Sequence, residues 1–310
     1  MTAERSASRE EREGAEYDAE TSWAVITGAS SGIGSALAER AAASDLNVVL
    51  SGRRSAALES LAARLEREHG IATETVVVDL ATPRGAERLH REATRRVARR
   101  GHQISVLAAN AGVAATGPFL KQRVEDLDAM LTLNARSSVV LCQLFGRDFA
   151  RARRGRICIT GSIAGAGPHG VAGAACYGAT KAFLRSFANA LQTELRASGV
   201  TVICLMPGAV RSDFQRASGM GHSLVFRCGK YLPGGIVMTP EAVVRCVDFS
   251  TSHGRRREVV PGFANKFYAW GAKYLPSAVT RFLASVSFSQ RWPPRFPPLE
   301  EISQHPSWIP

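Results

Sequence analysis

Six short apolar runs, spaced by helix-length segments, constrain the fold of this chain more than any other feature. They cover residues 23–27, 47–51, 74–78, 105–108, 156–160 and 201–205. Each is apolar on successive residues rather than on alternate ones, the pattern of strands covered on both faces in a parallel sheet. Residues 33–43, 55–69 and 85–99 between them read as helices. Strand and helix in strict alternation predict a three-layer α/β/α domain with a doubly wound, Rossmann-type parallel sheet. After Leu205 the pattern changes. Residues 211–232 lack periodicity and hold several glycines, which makes them a lid candidate. A helix is predicted to begin at Thr239, with Pro240 at its first position, and a last strand at 258–260. From Trp292 the chain is proline-rich and reads as irregular.

Residues 1–20 are polar and charged, with no apolar stretch for a signal peptide, and read as a disordered leader. Residues 21–262 form the predicted catalytic domain, and 263–310 an extension. No run reaches the roughly 18 apolar residues of a spanning helix. The cysteines Cys142, Cys158, Cys176, Cys204, Cys228 and Cys246 form no CxxC pair and no cluster with zinc spacing, so no metal is expected. Most sit in apolar runs, which predicts buried free thiols and a reducing, cytoplasmic setting. The formal charge of +12 raises the nucleic-acid class. However, Arg95, Arg96, Arg99 and Arg100, like Arg151, Arg153, Arg154 and Arg156, are not interleaved with aromatic side chains for base stacking. They read as solvated basic faces, and no nucleic-acid partner is expected.

The first apolar run leads into Gly28-Ala29-Ser30-Ser31-Gly32-Ile33-Gly34 and then a helix. Strand, glycine-rich turn and helix are the context of a dinucleotide site: glycines admit the pyrophosphate and the helix N-terminus supplies N–H groups and positive dipole. Thr27, Gly28, Ser30, Ser31, Gly32, Ile33 and Gly34 are therefore cofactor-binding candidates. The second strand ends in Ser51-Gly52-Arg53-Arg54, without the acid that would hold the ribose 2′-hydroxyl of NAD. Arg53 can instead bond the extra phosphate of NADP.

Tyr177 and Lys181 lie four apart in a segment, 175–196, that reads as a helix, so the two side chains share a face. An ammonium beside the phenol is expected to lower its pKa and make Tyr177 a general acid/base. Ser162, just past the fifth strand, can hold a carbonyl oxygen. Asn134, in an apolar helix, must find hydrogen-bond partners, and both a water relay and a structural role are open to it.

These residues together resemble the short-chain dehydrogenase/reductase family in its single-domain form, most strongly over residues 22–214. Residues 27–34 resemble the family's T-G-x-x-x-G-x-G loop. Asp79 resembles the acid that contacts the adenine, and Asn110-Ala111-Gly112 most of the N-N-A-G element, with Ala109 at its first position. Pro207-Gly208 with Ser212 resembles P-G-x-x-x-T, serine standing for threonine. The separation between Ser162 and Tyr177 is slightly longer than the family's usual one, which is expected to enlarge the glycine-rich loop 165–173 beside the substrate. The resemblance implies an NADP(H)-dependent carbonyl reductase or alcohol dehydrogenase, with Asn134, Ser162, Tyr177 and Lys181 as catalytic tetrad. It implies cofactor contacts from the loop, Arg53, Asp79, Asn110, Tyr177, Lys181, Pro207, Gly208, Val210 and Ser212, and a homo-oligomer. In that mechanism Tyr177 protonates the oxygen, Ser162 bonds it, Lys181 binds the ribose and Asn134 holds a water. A catalytically quiet NADP-binding sensor is the alternative; a sugar-nucleotide epimerase fits the glycine spacing less well. Phe214, Leu224, Val225 and Phe226 in the lid suggest an apolar substrate.

In the extension, Phe263, Phe267, Trp270 and Tyr274 fall on one helical stripe, and Val279, Phe282, Leu283 and Val286 on a second. Packing on the domain, over the cleft or between subunits is the expected use of such stripes. A basic, aromatic segment can also lie on an anionic membrane surface, so peripheral membrane contact is an open alternative.

Overall fold

The computed structural model describes residues 21–167, 170–218, 226, 236–247, 249, 257–275 and 279. Residues 1–20, most of 219–235 and nearly all of 276–310 lie outside the described part. With them lie the leader, the second stripe apart from Val279, and Leu224, Val225 and Cys228.

The elements follow as β1 (Ser22–Thr27), α1 (Gly32–Ala42), β2 (Asn47–Gly52), α2 (Ser55–His69), β3 (Thr73–Val77), α3 (Gly85–Ala98) and β4 (Gln103–Ala109). Next come α4 (Val124–Leu131), a π-helical turn (Thr132–Arg136), α5 (Ser137–Arg151), β5 (Gly155–Thr160), α6 (Ala175–Leu195) and β6 (Val200–Leu205). The rest comprises β7 (Ala209–Val210), α7 (Asp213–Ala217), β8 (Val237–Met238), α8 (Pro240–Val244), β9 (Glu258–Val259) and α9 (Phe263–Tyr274). Thr239 caps α8 by accepting from the Ala242 N–H, as its position before Pro240 predicts.

Seven strands form one parallel sheet in the order β3-β2-β1-β4-β5-β6-β9, and β7 pairs with β8 beside it. The doubly wound sheet expected from the six apolar runs is thus present. Its two faces carry separate cores. Ala24, Ile26, Val48 and Leu50 point to one face, where Leu37, Leu58 and Leu65 of α1 and α2 cover them with Val243 of α8. Trp23, Val25, Val49 and Leu107 point to the other, under Leu89, Phe145, Phe149 and Leu184 of α3, α5 and α6. Continuous apolar strands are what a sheet covered on both sides requires.

Three local differences from the sequence reading have physical reasons. β3 is an edge strand, half-covered, with Val77 exposed, because no strand pairs beyond it. Arg156, grouped with a surface basic run, is buried inside β5. Of the thiols expected to be buried, Cys142, Cys158 and Cys204 are, whereas Cys176 is half-buried and Cys246 exposed. On α3, the expected basic surface helix, Arg96 and Arg100 are tied to Glu74 of β3.

Candidate active site

The order of strands reverses between β1 and β4, and open sheets bind ligands at the carboxyl ends of strands there. Hydrogen bonds tie the three central strands together at that point. The Thr27 hydroxyl accepts from the N–H groups of Asn110 (2.8 Å) and Ala111 (2.9 Å) and donates to the Ala108 carbonyl. The Asn110 amide donates to the Thr27 carbonyl, and its Oδ1 accepts from Thr160 of β5.

A cavity of about 850 Å³ opens above this junction. Among the residues singled out in the sequence, Gly28, Ser30, Ser31, Gly32, Ile33, Arg53, Asp79, Asn110, Ser162, Tyr177 and Lys181 line it. So do Pro207, Gly208, Val210 and Ser212. Thr27, Gly34 and Asn134 stand behind the wall rather than in it.

The glycines of the loop answer different demands. Gly28 (φ +66°) and Gly32 (φ +57°) sit in the left-handed region. Gly34 does not, but a Cβ there would lie 2.0 Å from the Gly28 carbonyl oxygen, so the first turn of α1 closes on the strand end only without a side chain. Ser31 makes no side-chain cap bond and the first turn of α1 holds no acidic residue. The first N–H groups and the positive helix end therefore face the cavity, a cradle suited to a phosphate. Arg53, 68% exposed at the end of β2, stands 4.0 Å from Asp79. Arg54 does something else: its guanidinium donates to the Ser30 carbonyl at 2.8 Å and braces the loop from outside. Asp79 Oδ1 accepts from the Ala81 N–H, which fixes the turn after β3. The residues present thus fit a dinucleotide carrying an extra phosphate near Arg53.

Tyr177 is buried among Met130, Ala164, Val171 and Ala174, and shares the cavity wall with Ser162. Ser162 accepts from the Ala164 N–H at 3.1 Å. Val171, from the segment before α6, belongs to the same cluster. Lys181 is buried one turn on; its ammonium donates to the Thr160 carbonyl at 2.8 Å and lies 5.8 Å from the centre of the Tyr177 ring. The pair meets on one face, as the spacing requires, but the expected lowering of the phenol pKa is corrected. Burial in apolar surroundings pushes Tyr177 up to about 12, with the nearby Ser162 side chain pulling the other way. The ammonium is aimed at β5, and its own burial brings Lys181 down to about 8.

Asn134 sits in the π-helical turn, where one extra residue per turn rotates it inward. Its Oδ1 accepts from the Val113 N–H (2.9 Å), and its Nδ2 donates to the Val113 carbonyl (2.9 Å) and to the Thr180 hydroxyl (3.1 Å). The side chain is thereby spent on holding the irregular segment after β4 against α6. Its carbonyl accepts from Ser138.

Other residues on this wall were not singled out by their sequence context. Asn265 of α9 is buried, donates to the Pro261 carbonyl at 2.9 Å and packs against Gly208, where any Cβ would fall 2.2 Å from its Oδ1. Phe267, Tyr268, Gly271 and Leu275 make α9 one side of the cavity. An Asn in an apolar helix is the one signal that could have pointed there. Elsewhere, Glu39, Glu68 and His69 converge, but the Arg64 guanidinium lies 2.6 Å from Glu39 and 3.1 Å from Glu68 and supplies the cation itself.

Residues 22–222 match the short chain dehydrogenase family. An uncharacterised short-chain type dehydrogenase/reductase of Sinorhizobium fredii is 36% identical over 196 residues, 63% of this chain and 72% of that protein. A short-chain dehydrogenase from Sphingobium yanoikuyae, solved in complex with NADPH, superimposes with a TM-score of 0.65 at 33% identity, covering 77% of this chain and 86% of the other. The bulky-bulky ketone specific alcohol dehydrogenase from Comamonas testosteroni gives a TM-score of 0.63 at 28% identity, over 77% and 85%. With the glycine cradle at the switch point and Ser162, Tyr177 and Lys181 gathered below it, this chain belongs to the short-chain dehydrogenase family and is an oxidoreductase of that family.

Proposed function

We propose that the chain is an NADP(H)-dependent carbonyl reductase or alcohol dehydrogenase whose substrate is an apolar ketone or secondary alcohol. The observation that carries the reading is the gathering of Ser162, Tyr177 and Lys181 on one wall of the cavity that the uncapped N–H groups of α1 also line. The NADPH bound by the Sphingobium protein supports the cofactor, and the ketone specificity of the Comamonas protein supports the substrate class.

NADPH, when bound, supplies the hydride to the carbonyl carbon. Gly28, Ser31, Gly32 and Ile33 would hold its pyrophosphate, Arg53 its extra phosphate, and Asp79 its adenine end. Ser162 turns its hydroxyl to the substrate oxygen and lowers the cost of charge there. Tyr177 keeps its proton at neutral pH, because burial holds its pKa near 12. It is therefore set as a proton donor to the forming alkoxide, the polarity that reduction needs. Lys181 carries its charge in a dry site and stabilises the phenolate left behind. Asn134 keeps α6 and the strand end in register, so that these groups stay aimed. Val171, Phe214 and Phe226 share one apolar cluster with Tyr177, which favours a substrate apolar on both sides of its carbonyl.

Tyr177→Phe tests the assignment. Turnover of a bulky aryl ketone should fall by about 10²–10⁴, while NADPH binding, read by fluorescence, stays within about twofold because the ring keeps its packing. Turnover unchanged in that variant removes Tyr177 from the chemistry.

A further inference from the structure

Helix α9 is apolar on two opposite faces. Asn265, Gly271 and Ala272 are buried against the domain. On the other side Phe263, Phe267, Trp270 and Tyr274 form a crest along the helix, between 54% and 79% exposed. At 100° per residue all four lie within about 60° of one another. Phe267 stacks on Trp270, and Trp270 meets the Tyr274 ring at a tilt, so the crest is continuous. Helices apolar all round are normally covered, so this crest wants an occupant.

Charge decides which. Lys266 and Lys273 flank the crest along one edge and are exposed. From residue 259 to residue 299 the chain holds Lys266, Lys273, Arg281, Arg291 and Arg295 and no acidic residue. In a two-fold contact between copies, each basic edge would meet its own like, which disfavours self-association through this face. An anionic lipid surface offers the complement: headgroups for the lysines and the acyl boundary for the rings, with Trp and Tyr at the depth they prefer. The crest also adjoins the cavity. Phe267 belongs to both, and Leu275, partly exposed, stands on the cavity wall about two turns beyond.

We infer that α9 docks the protein on an anionic bilayer through Phe263, Phe267, Trp270 and Tyr274, placing the cavity mouth at the membrane so that an apolar carbonyl compound passes from lipid to the site without crossing water. What passes rests on the function proposed above; the docking does not. The crest spans about 16 Å, enough to lie flat in the headgroup layer.

Vesicle sedimentation with the full chain tests this, using equimolar phosphatidylglycerol/phosphatidylcholine and, separately, phosphatidylcholine alone. The protein should sediment with the anionic vesicles, less with the neutral ones, and less again in high salt. The triple variant Phe263→Ser/Trp270→Ser/Tyr274→Ser should lose about tenfold or more in partition. None of its three positions lines the cavity, so circular dichroism, NADPH binding and turnover of a water-soluble ketone should be unchanged. Wild type left in the supernatant, or a variant that sediments as well as wild type, overturns the inference. So does a mass measurement showing that wild type is a dimer which the variant dissolves, because the crest is then a subunit contact. Vesicle binding without reduction of any ketone would instead spare the docking and sink the proposed function.

Discussion

Replacing Lys181 by Met should make the cofactor-free protein more stable and inactive, with a pH signature that no packing change reproduces. Lys181 is buried, with one hydrogen bond, to the Thr160 carbonyl. Burial lowers its pKa from 10.5 to about 8. The unfolded chain holds that proton up to about pH 10.5, whereas the folded chain releases it near 8. Below pH 8 folding carries the whole cost of burying the charge. As pH rises from 8 to 10.5 the folded state binds fewer protons than the unfolded one, so wild-type stability climbs there. At pH 7 the cost is about 3 kcal/mol, and by pH 10 about 1 kcal/mol. Methionine fills similar volume without charge, but leaves the Thr160 carbonyl without its donor, about 1 kcal/mol. The variant should therefore exceed wild type by about 2 kcal/mol at pH 7 and draw level near pH 10. Urea unfolding followed by circular dichroism at pH 7, 8.5 and 10 measures the gap. A gap that does not change with pH would refute the reasoning, because only the proton difference makes it close.

Gly34→Ala should lose NADPH binding and about 1–3 kcal/mol of stability, because its Cβ has no room against the Gly28 carbonyl; a normal melting temperature with normal NADPH titration would contradict the packing. Arg53→Ala, at an exposed position, should leave stability alone and cut the preference for NADPH over NADH by about tenfold or more; an unchanged ratio of kcat/KM values removes Arg53 from the site. Asn134→Ala should cost about 2–4 kcal/mol, since it leaves both polar groups of Val113 without a partner, and thermal unfolding reads the loss directly.

Much of the frame is legible in the sequence, because its signals are local. A buried parallel strand must be apolar on both sides, so the ends of β1, β2, β5 and β6 lie within one residue of the apolar runs. The glycine loop is likewise local: left-handed backbone at Gly28 and Gly32 excludes other residues whatever surrounds them. Less legible is whatever depends on distant chain. The four-residue spacing of Tyr177 and Lys181 says that they meet, but not that burial outweighs the charge between them. That balance is set by Met130, Val171 and Ala174, none of which belongs to the motif. Arg54 looks equivalent to Arg53 until Ser30, 24 residues earlier, is seen beneath it. Asn265 and Phe267 read as parts of an outlying extension, because nothing in a helical stripe tells which wall it will complete.

The π-helical turn at Thr132–Arg136 has a consequence for how this chain can vary. It joins α4 to α5 with one residue more than an α-helix needs. Each residue turns a helix by about 100°. A π-turn spends one residue more on nearly the same rotation, so deleting any one of the five would straighten the join into plain α-helix and leave the face that α5 presents unchanged. Leu141, Cys142, Phe145 and Phe149 would keep their places in the core, while Asn134 would lose the turn that carries it inward. The extra residue is thus a local accommodation: it can enter or leave without turning the packed helix behind it, and what it changes is the direction in which Asn134 points.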